Sequence, residues 1–252
     1  FDGFGYPQDH MDFAYENGMS ALALTDHGNM NGMSYQVLHA KKMKEQNKDF
    51  KPIFGVEAYF VPSIKEWKEE YDKVKLDKKQ ARKVIDDTDK VSTEDEGDSK
   101  RRSKNKINAR RHIILVALNQ TGLNNIYKIV SDSHQGDNFY RYPRLDYEML
   151  EKYGEGVIAS SACLGGVYAG DYWDNREEGA DAVLEAMRET TRNMITAIGD
   201  RWYGELQWNN IPEQHELNKY ITQMHEEFGI ELISTADSHY PNPGAWKDRE
   251  LY

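Results

Sequence analysis

Short apolar runs alternate along the chain with longer segments whose apolar residues recur every three or four positions, and this alternation predicts strands and helices in turn. Ala21-Leu22-Ala23-Leu24, bounded by Gly18 and Gly28, is too short for a helix and fits a strand covered on both faces. Five more strands are predicted over Pro52–Phe60, His112–Leu118, Gly156–Ser161, Arg201–Trp208 and Glu231–Ala236. Helices are predicted over Pro7–Asn17, Met33–Gln46, Leu123–Ser131, Tyr147–Tyr153, Asn175–Ile198 and Pro212–Phe228. On the second of these, Tyr35, Leu38 and Met43 are expected to face the core; on the fifth, Val183, Leu184, Met187, Met194 and Ile195. A polar loop is expected around Arg141, Pro143 and Arg144. Such alternation implies parallel strands with covering helices, in a barrel or an open sheet.

One segment breaks the pattern. Between Ile64 and Arg110 apolar residues thin out and 15 basic and 12 acidic side chains crowd together, against 17 basic and 31 acidic elsewhere. This charged insert reads as a solvated helical hairpin or a disordered loop. In a sharper reading, Lys100-Arg101-Arg102-Ser103-Lys104, with Lys106, Arg110 and Arg111, touches a nucleic-acid backbone. The remaining chain is expected to form one domain over residues 1–252. It begins without Met at Phe1-Asp2-Gly3, reads as a fragment of something longer, and leaves room for a seventh strand ahead of Phe1.

The formal charge of −11 disfavours a protein that coats nucleic acid with its whole surface, whereas acidic clefts hold cations. A single cysteine, Cys163, excludes an internal disulfide and fits a reducing compartment. With no apolar stretch near the roughly 18 residues that span a bilayer and no signal peptide, a cytoplasmic protein without a membrane partner is expected.

Metal-ligand residue types fall at or near the predicted strand ends. Asp26-His27 stands at a strand tip, Glu57 inside an apolar strand, His112 at the head of another and Cys163 just before Gly165-Gly166. Asp237-Ser238-His239 closes the last strand, and positions two apart face the same side. Singly each has a bland reading: an Asx turn at Asp26, a small core residue at Cys163. Together, imidazole and carboxylate at one rim form a ligand set for zinc, manganese or iron.

Several of these residues lie in motifs with a known likeness. ALALTDHGNMNG (21–32), GVEAYF (55–60), RHIILVALNQTGLNNIYKIVS (111–131), PRLD (143–146), EGVIASSACLGG (155–166) and ISTADSHY (233–240) resemble the PHP domain, named for polymerase and histidinol phosphatase. The form resembled is the amino-terminal domain of bacterial DNA polymerase III alpha subunits. The resemblance implies an α/β fold, a distorted seven-stranded (β/α) barrel of PHP type lacking its first strand here, with up to three zinc, manganese or iron ions at one rim. It makes Asp2, His27, Glu57, His112, Cys163, Asp237 and His239 metal ligands and gives Asp26 an orienting role. Arg144, with Arg110 and Arg111, becomes a candidate for phosphate contact. The family opens its site with a His-x-His about ten residues before the Asp-Gly; this sequence has no His-x-His, so fewer ions are expected. The implied chemistry is metal-dependent hydrolysis of DNA phosphodiesters at a 3′ end, in a proofreading-type exonuclease. The polymerase body of the same longer chain and other replisome subunits would be partners. The rival is a non-catalytic structural module; a free-standing histidinol-phosphatase-like enzyme fits less well, because PRLD and GLNNIYKIVS resemble polymerase-type domains.

Overall fold

The structure, a computed structural model, describes residues 3–86 and 110–249. All six predicted strands form: β1 (Ala21–Leu24), β2 (Lys51–Phe60), β3 (Arg111–Ala117), β6 (Val157–Ser160), β7 (Trp202–Gln207) and β8 (Glu231–Thr235). Two short ones, β4 (Phe139–Tyr140) and β5 (Tyr142–Leu145), replace the expected polar loop and pair antiparallel about Arg141, whose φ is 60°. Their brevity and Pro143 hid them from a pattern-based reading. The helices are α1 (Pro7–Glu16), α2 (Met33–Glu45), α3 (Ile64–Asp86), α4 (Gln120–Ser133), α5 (Tyr147–Tyr153), α6 (Val167–Asn175), α7 (Ala180–Ile198), α8 (Pro212–Phe228) and α9 (Trp246–Arg249).

The sheet runs β4-β5-β2-β3-β6-β7-β8, with β1 also on β2. It is mixed rather than wholly parallel, because β3 runs against both β2 and β6 while β1–β2, β2–β5, β6–β7 and β7–β8 are parallel. The connections into and out of β3 are long enough to return the chain to either end of the sheet, so alternation with helices does not dictate direction there. Among the described residues β1 and β8 do not pair, so the sheet is open. It nevertheless curls: the Phe4 amide donates to the His239 carbonyl at 2.7 Å, and the rings of His27 and His239, beyond β1 and β8, are 6.4 Å apart.

The main core joins Val56, Phe60, Ile113, Leu115, Val157 and Trp202 of the strands to Ile126, Met187, Met194, Leu217 and Met224 of the helices. A smaller cluster of Met11, Ala14, Met43 and Phe50 sits under α1 and α2. Here the expected face of α2 is corrected. Tyr35 and Leu38 are exposed, Leu38 by 64%, whereas Gln36 is 1% exposed and donates to the carbonyls of Leu22 and Ile53, each at 3.2 Å. Of the helix expected over 175–198, residues 180–198 form α7, preceded by a 3-10 turn at Arg176–Glu178 and by Gly179, whose φ of 104° no helix accommodates; α6, which ends at Asn175, is a helix the spacing did not predict.

The first part of the charged insert is the single helix α3. The basic run Lys100–Lys104 and Lys106 lies outside the described residues, as does Asp2. No helix among the described residues is long and apolar enough to cross a membrane.

Candidate metal centre

Past the end of β1, the chain continues its pairing with β2 for one more step. The Glu57 amide donates to the Asp26 carbonyl at 3.1 Å and the Gly28 amide to the Glu57 carbonyl at 2.7 Å, which sets His27 beside Glu57. Gly28 is needed there: its φ is +67°, and a Cβ would lie 2.8 Å from Pro143 Cγ. Asp26 Oδ2 accepts from the Gly32 amide at 2.8 Å, closing the loop that carries His27. His112 opens β3, its amide bonded to the Gly165 carbonyl at 2.9 Å. Because β3 is antiparallel to its neighbours, its first residues lie at the rim where the parallel strands end, so a histidine at a strand head joins one beyond a strand tail.

His27, Glu57 and His112 each place one donor atom within 4.8 Å of the others. Glu57 is buried, with Oε1 2.6 Å from His112 Nδ1 and 3.7 Å from His27 Nδ1, and the two imidazole rings are 5.3 Å apart. A carboxylate in an apolar strand thus has the partners its burial demands. Ligand atoms ~2.1 Å from a tetrahedral ion stand about 3.4 Å from one another, so these donors need only small side-chain shifts to share one divalent cation.

Three more expected ligands border the cluster. Cys163 Sγ is 3.6 Å from His112 Nδ1 and accepts from the Gly165 amide at 3.4 Å. Burial pushes its thiol up to about 12; Asp237, Glu57 and Glu205 add to the rise and the Gly165 amide opposes it. Burial also lifts the Asp237 carboxyl above its ordinary range, with His239 opposing and Glu57 and Glu205 adding. His239 Nδ1 lies 2.7 Å from the Asp237 carbonyl oxygen. Ala162, just before Cys163, and Asp237 itself hold φ values of 59° and 48°, a left-handed backbone uncommon away from glycine and concentrated at functional sites. The gathering of the Glu57 and Asp237 carboxylates and a thiol with the imidazoles of His27, His112 and His239 favours a bound cation.

A family model described as the PHP domain matches residues 1–209. The chain belongs to the PHP domain family. Among curated proteins it is similar to the DNA polymerase III subunit alpha of Aquifex aeolicus (strain VF5), 34% identical over 230 residues, which is 91% of this chain and 16% of that protein. The subunit of the same name from Borreliella burgdorferi is 32% identical over 241 residues, 96% of this chain and 17% of that protein. The chain therefore spans about a sixth of the length of these relatives. Among solved structures, a protein from Bifidobacterium adolescentis assigned as a metal-dependent phosphoesterase aligns with 14% identity and a TM-score of 0.42, covering 96% of this chain and 85% of that one. The closing Asp237-Ser238-His239 lies beyond the span matched by the PHP model, yet the fold returns it to the rim beside His27.

Of the three arginines expected to contact phosphate in this PHP domain, Arg144 and Arg111 are engaged within the fold and Arg110 is exposed. Arg144 is 1% exposed; its guanidinium donates to the carbonyls of Tyr140 and Tyr142 at 2.8 and 3.0 Å and lies 4.1 Å from the Trp67 ring centroid. Burial, then the charge of nearby Arg110, lower it to about 10. Arg111 pairs with Asp171 at 2.6 Å and Asp174 at 2.7 Å. Arg110 is exposed, its guanidinium 4.2 Å from the Tyr142 ring centroid.

Glu205 of β7 is the buried residue that pattern reading passed over. Its carboxylate accepts from Ser160 Oγ and Thr235 Oγ1, both at 2.5 Å, and from Gln207 Nε2 at 3.1 Å. The signal that singled out Glu57, a lone carboxylate in a buried apolar strand, applies to Glu205 as well. Neutral donors satisfy it, which distinguishes it from the His-flanked Glu57.

Proposed function

We propose that this PHP domain hydrolyses DNA phosphodiesters at a divalent-metal site built on His27, Glu57 and His112, with Cys163, Asp237 and His239 completing the rim and Asp2 contributing as the family resemblance implies. The observation that carries the reading is the convergence of ligand-type donor atoms from the β1–α2 loop, β2 and β3 within 4.8 Å. A bound divalent cation supplies Lewis acidity toward a phosphate oxygen and lowers the pKa of a water near it. The protein's own part is orientation. Asp26 fixes the loop of His27 through Gly32, and the bond from the His112 amide to the Gly165 carbonyl at 2.9 Å fixes the strand head that carries the second imidazole.

The commitment of Arg111 to Asp171 and Asp174, and of Arg144 to the interior, favours a second reading: a platform that keeps the ligands for stability within a polymerase and hydrolyses nothing. Elemental analysis of the purified chain, with manganese-dependent cleavage of single-stranded DNA compared against a small phosphomonoester, separates the two. Under the catalytic reading, metal is bound, DNA is cleaved, and Glu57→Gln and His239→Ala each lower cleavage at least ~100-fold while the fold survives by circular dichroism. Metal retention without cleavage supports the platform. Absence of metal in the wild type at saturating zinc or manganese overturns both.

A further inference from the structure

Resting on the reading of the His27–Glu57–His112 cluster as a phosphoester site, we propose that Tyr59, Tyr142 and Arg110 form a stacking track that seats a nucleobase of single-stranded DNA beside it. Tyr59 lies two positions after Glu57 on β2, so strand alternation sends its ring to the face that carries the carboxylate. That ring stacks within 7° of parallel on His27, centroids 6.1 Å apart, and meets His112 edge-on at 5.5 Å. Tyr142 of β5 follows, edge-on to Tyr59 at 5.3 Å, and the Arg110 guanidinium covers the Tyr142 ring at 4.2 Å. The series runs outward from the two imidazoles through two half-buried phenols to an exposed cation.

Aromatic faces interleaved with guanidinium planes hold single strands without reading sequence, because every base has a π-face and the cation draws the adjacent phosphate. In a chain of net charge −11 such attraction has to be local. Arg144 is buried and Arg111 is paired with Asp171 and Asp174, which leaves Arg110 as the exposed guanidinium among these three. Arg110 stands near enough to buried Arg144 to lower its pKa, so two positive charges are concentrated at the outer end of the track. A base stacked on Arg110 or Tyr142 would hold the neighbouring phosphate toward the imidazoles, and a phosphomonoester without a base would lack that anchor.

The test is fluorescence anisotropy in EDTA, where no hydrolysis intervenes, with a single-stranded DNA oligonucleotide and one of equal length whose last three residues at the 3′ end are abasic. The wild-type chain is expected to bind the base-bearing strand ~5- to ~100-fold more tightly. Tyr142→Ala and Arg110→Ala should each bring that ratio close to one, while Tyr142→Trp preserves it. Because this binding is read without metal, a base-dependent ratio can hold even where metal-dependent cleavage fails, so failure of the hydrolytic reading is distinguishable from failure of the track. Equal binding of the two strands by the wild type overturns the proposal. So does an unchanged ratio in Arg110→Ala, an exposed position whose replacement leaves the fold intact.

Discussion

Cys163, the only thiol of the chain, sits where its chemistry reports on the whole centre. Burial and the nearby carboxylates of Asp237, Glu57 and Glu205 push it up to about 12, so in the metal-free protein it stays protonated and unreactive at neutral pH. Iodoacetamide should modify it at pH 8 at least ~100-fold more slowly than in the urea-unfolded chain. The sign for stability follows from the same shift. An unfolded thiol releases its proton near pH 9 while the folded one retains it, so the contribution of Cys163 is fully present below pH 9 and is lost as pH climbs toward about 12. Cys163→Ser should flatten that alkaline loss in urea titrations. That His27, Glu57 and His112 would meet at one rim was legible in the sequence because a polar group in or beside an apolar strand is conspicuous. Glu205 carries the same mark, and only coordinates show that hydroxyls and an amide, not imidazoles, surround it.

Helix α2 shows why elements are easier to locate than to orient. Its extent was legible to within a residue or two, but of the apolar pattern Tyr35, Leu38, Met43 only Met43 faces the interior. The buried positions are Gln36 and Met43, because the Gln36 amide bridges β1 and β2 through the carbonyls of Leu22 and Ile53. A spacing rule weighs hydrophobicity and cannot anticipate that two strand carbonyls need a donor from outside the ladder. Strand direction was hidden for a related reason: nothing in the periodicity of Arg111–Ala117 records that β3 runs against both neighbours, although this reversal brings His112 to the rim. The expected energetic consequence for α2 inverts the usual ranking. Gln36→Ala should cost about 1–3 kcal/mol by removing a buried amide that donates to two half-buried strand carbonyls, whereas Leu38→Ala should stay within about 0.5 kcal/mol. Chemical denaturation of the two variants decides it; a larger loss for Leu38→Ala would mean that this face of α2 is covered in solution.

At the scale of the molecule, the sheet is open along its length but held together at one end. The strands β1 and β8 do not pair among the described residues, and Ala23 and Ile233 stand exposed on them. At the rim, by contrast, Phe4 bonds to His239 and the rings of His27 and His239 approach to 6.4 Å. Among the described residues neither β1 nor β8 has a strand on its second edge, and their ends converge where the ligands gather, so a further extended segment entering this slot would find an edge to pair with. A strand in that slot would send alternate residues to one face, so two histidines one residue apart would point together into the ligand cluster. That is the placement the PHP resemblance implies for its His-x-His. A chain lengthened at its amino terminus by about ten residues ending in such a strand is therefore expected to bind more metal per molecule than the 252-residue chain, with tighter retention against chelators. Elemental analysis before and after dialysis against EDTA measures both quantities. Unchanged stoichiometry would mean that His27, Glu57 and His112 do not share a centre with an added strand, and the ligand assignment would fall with it.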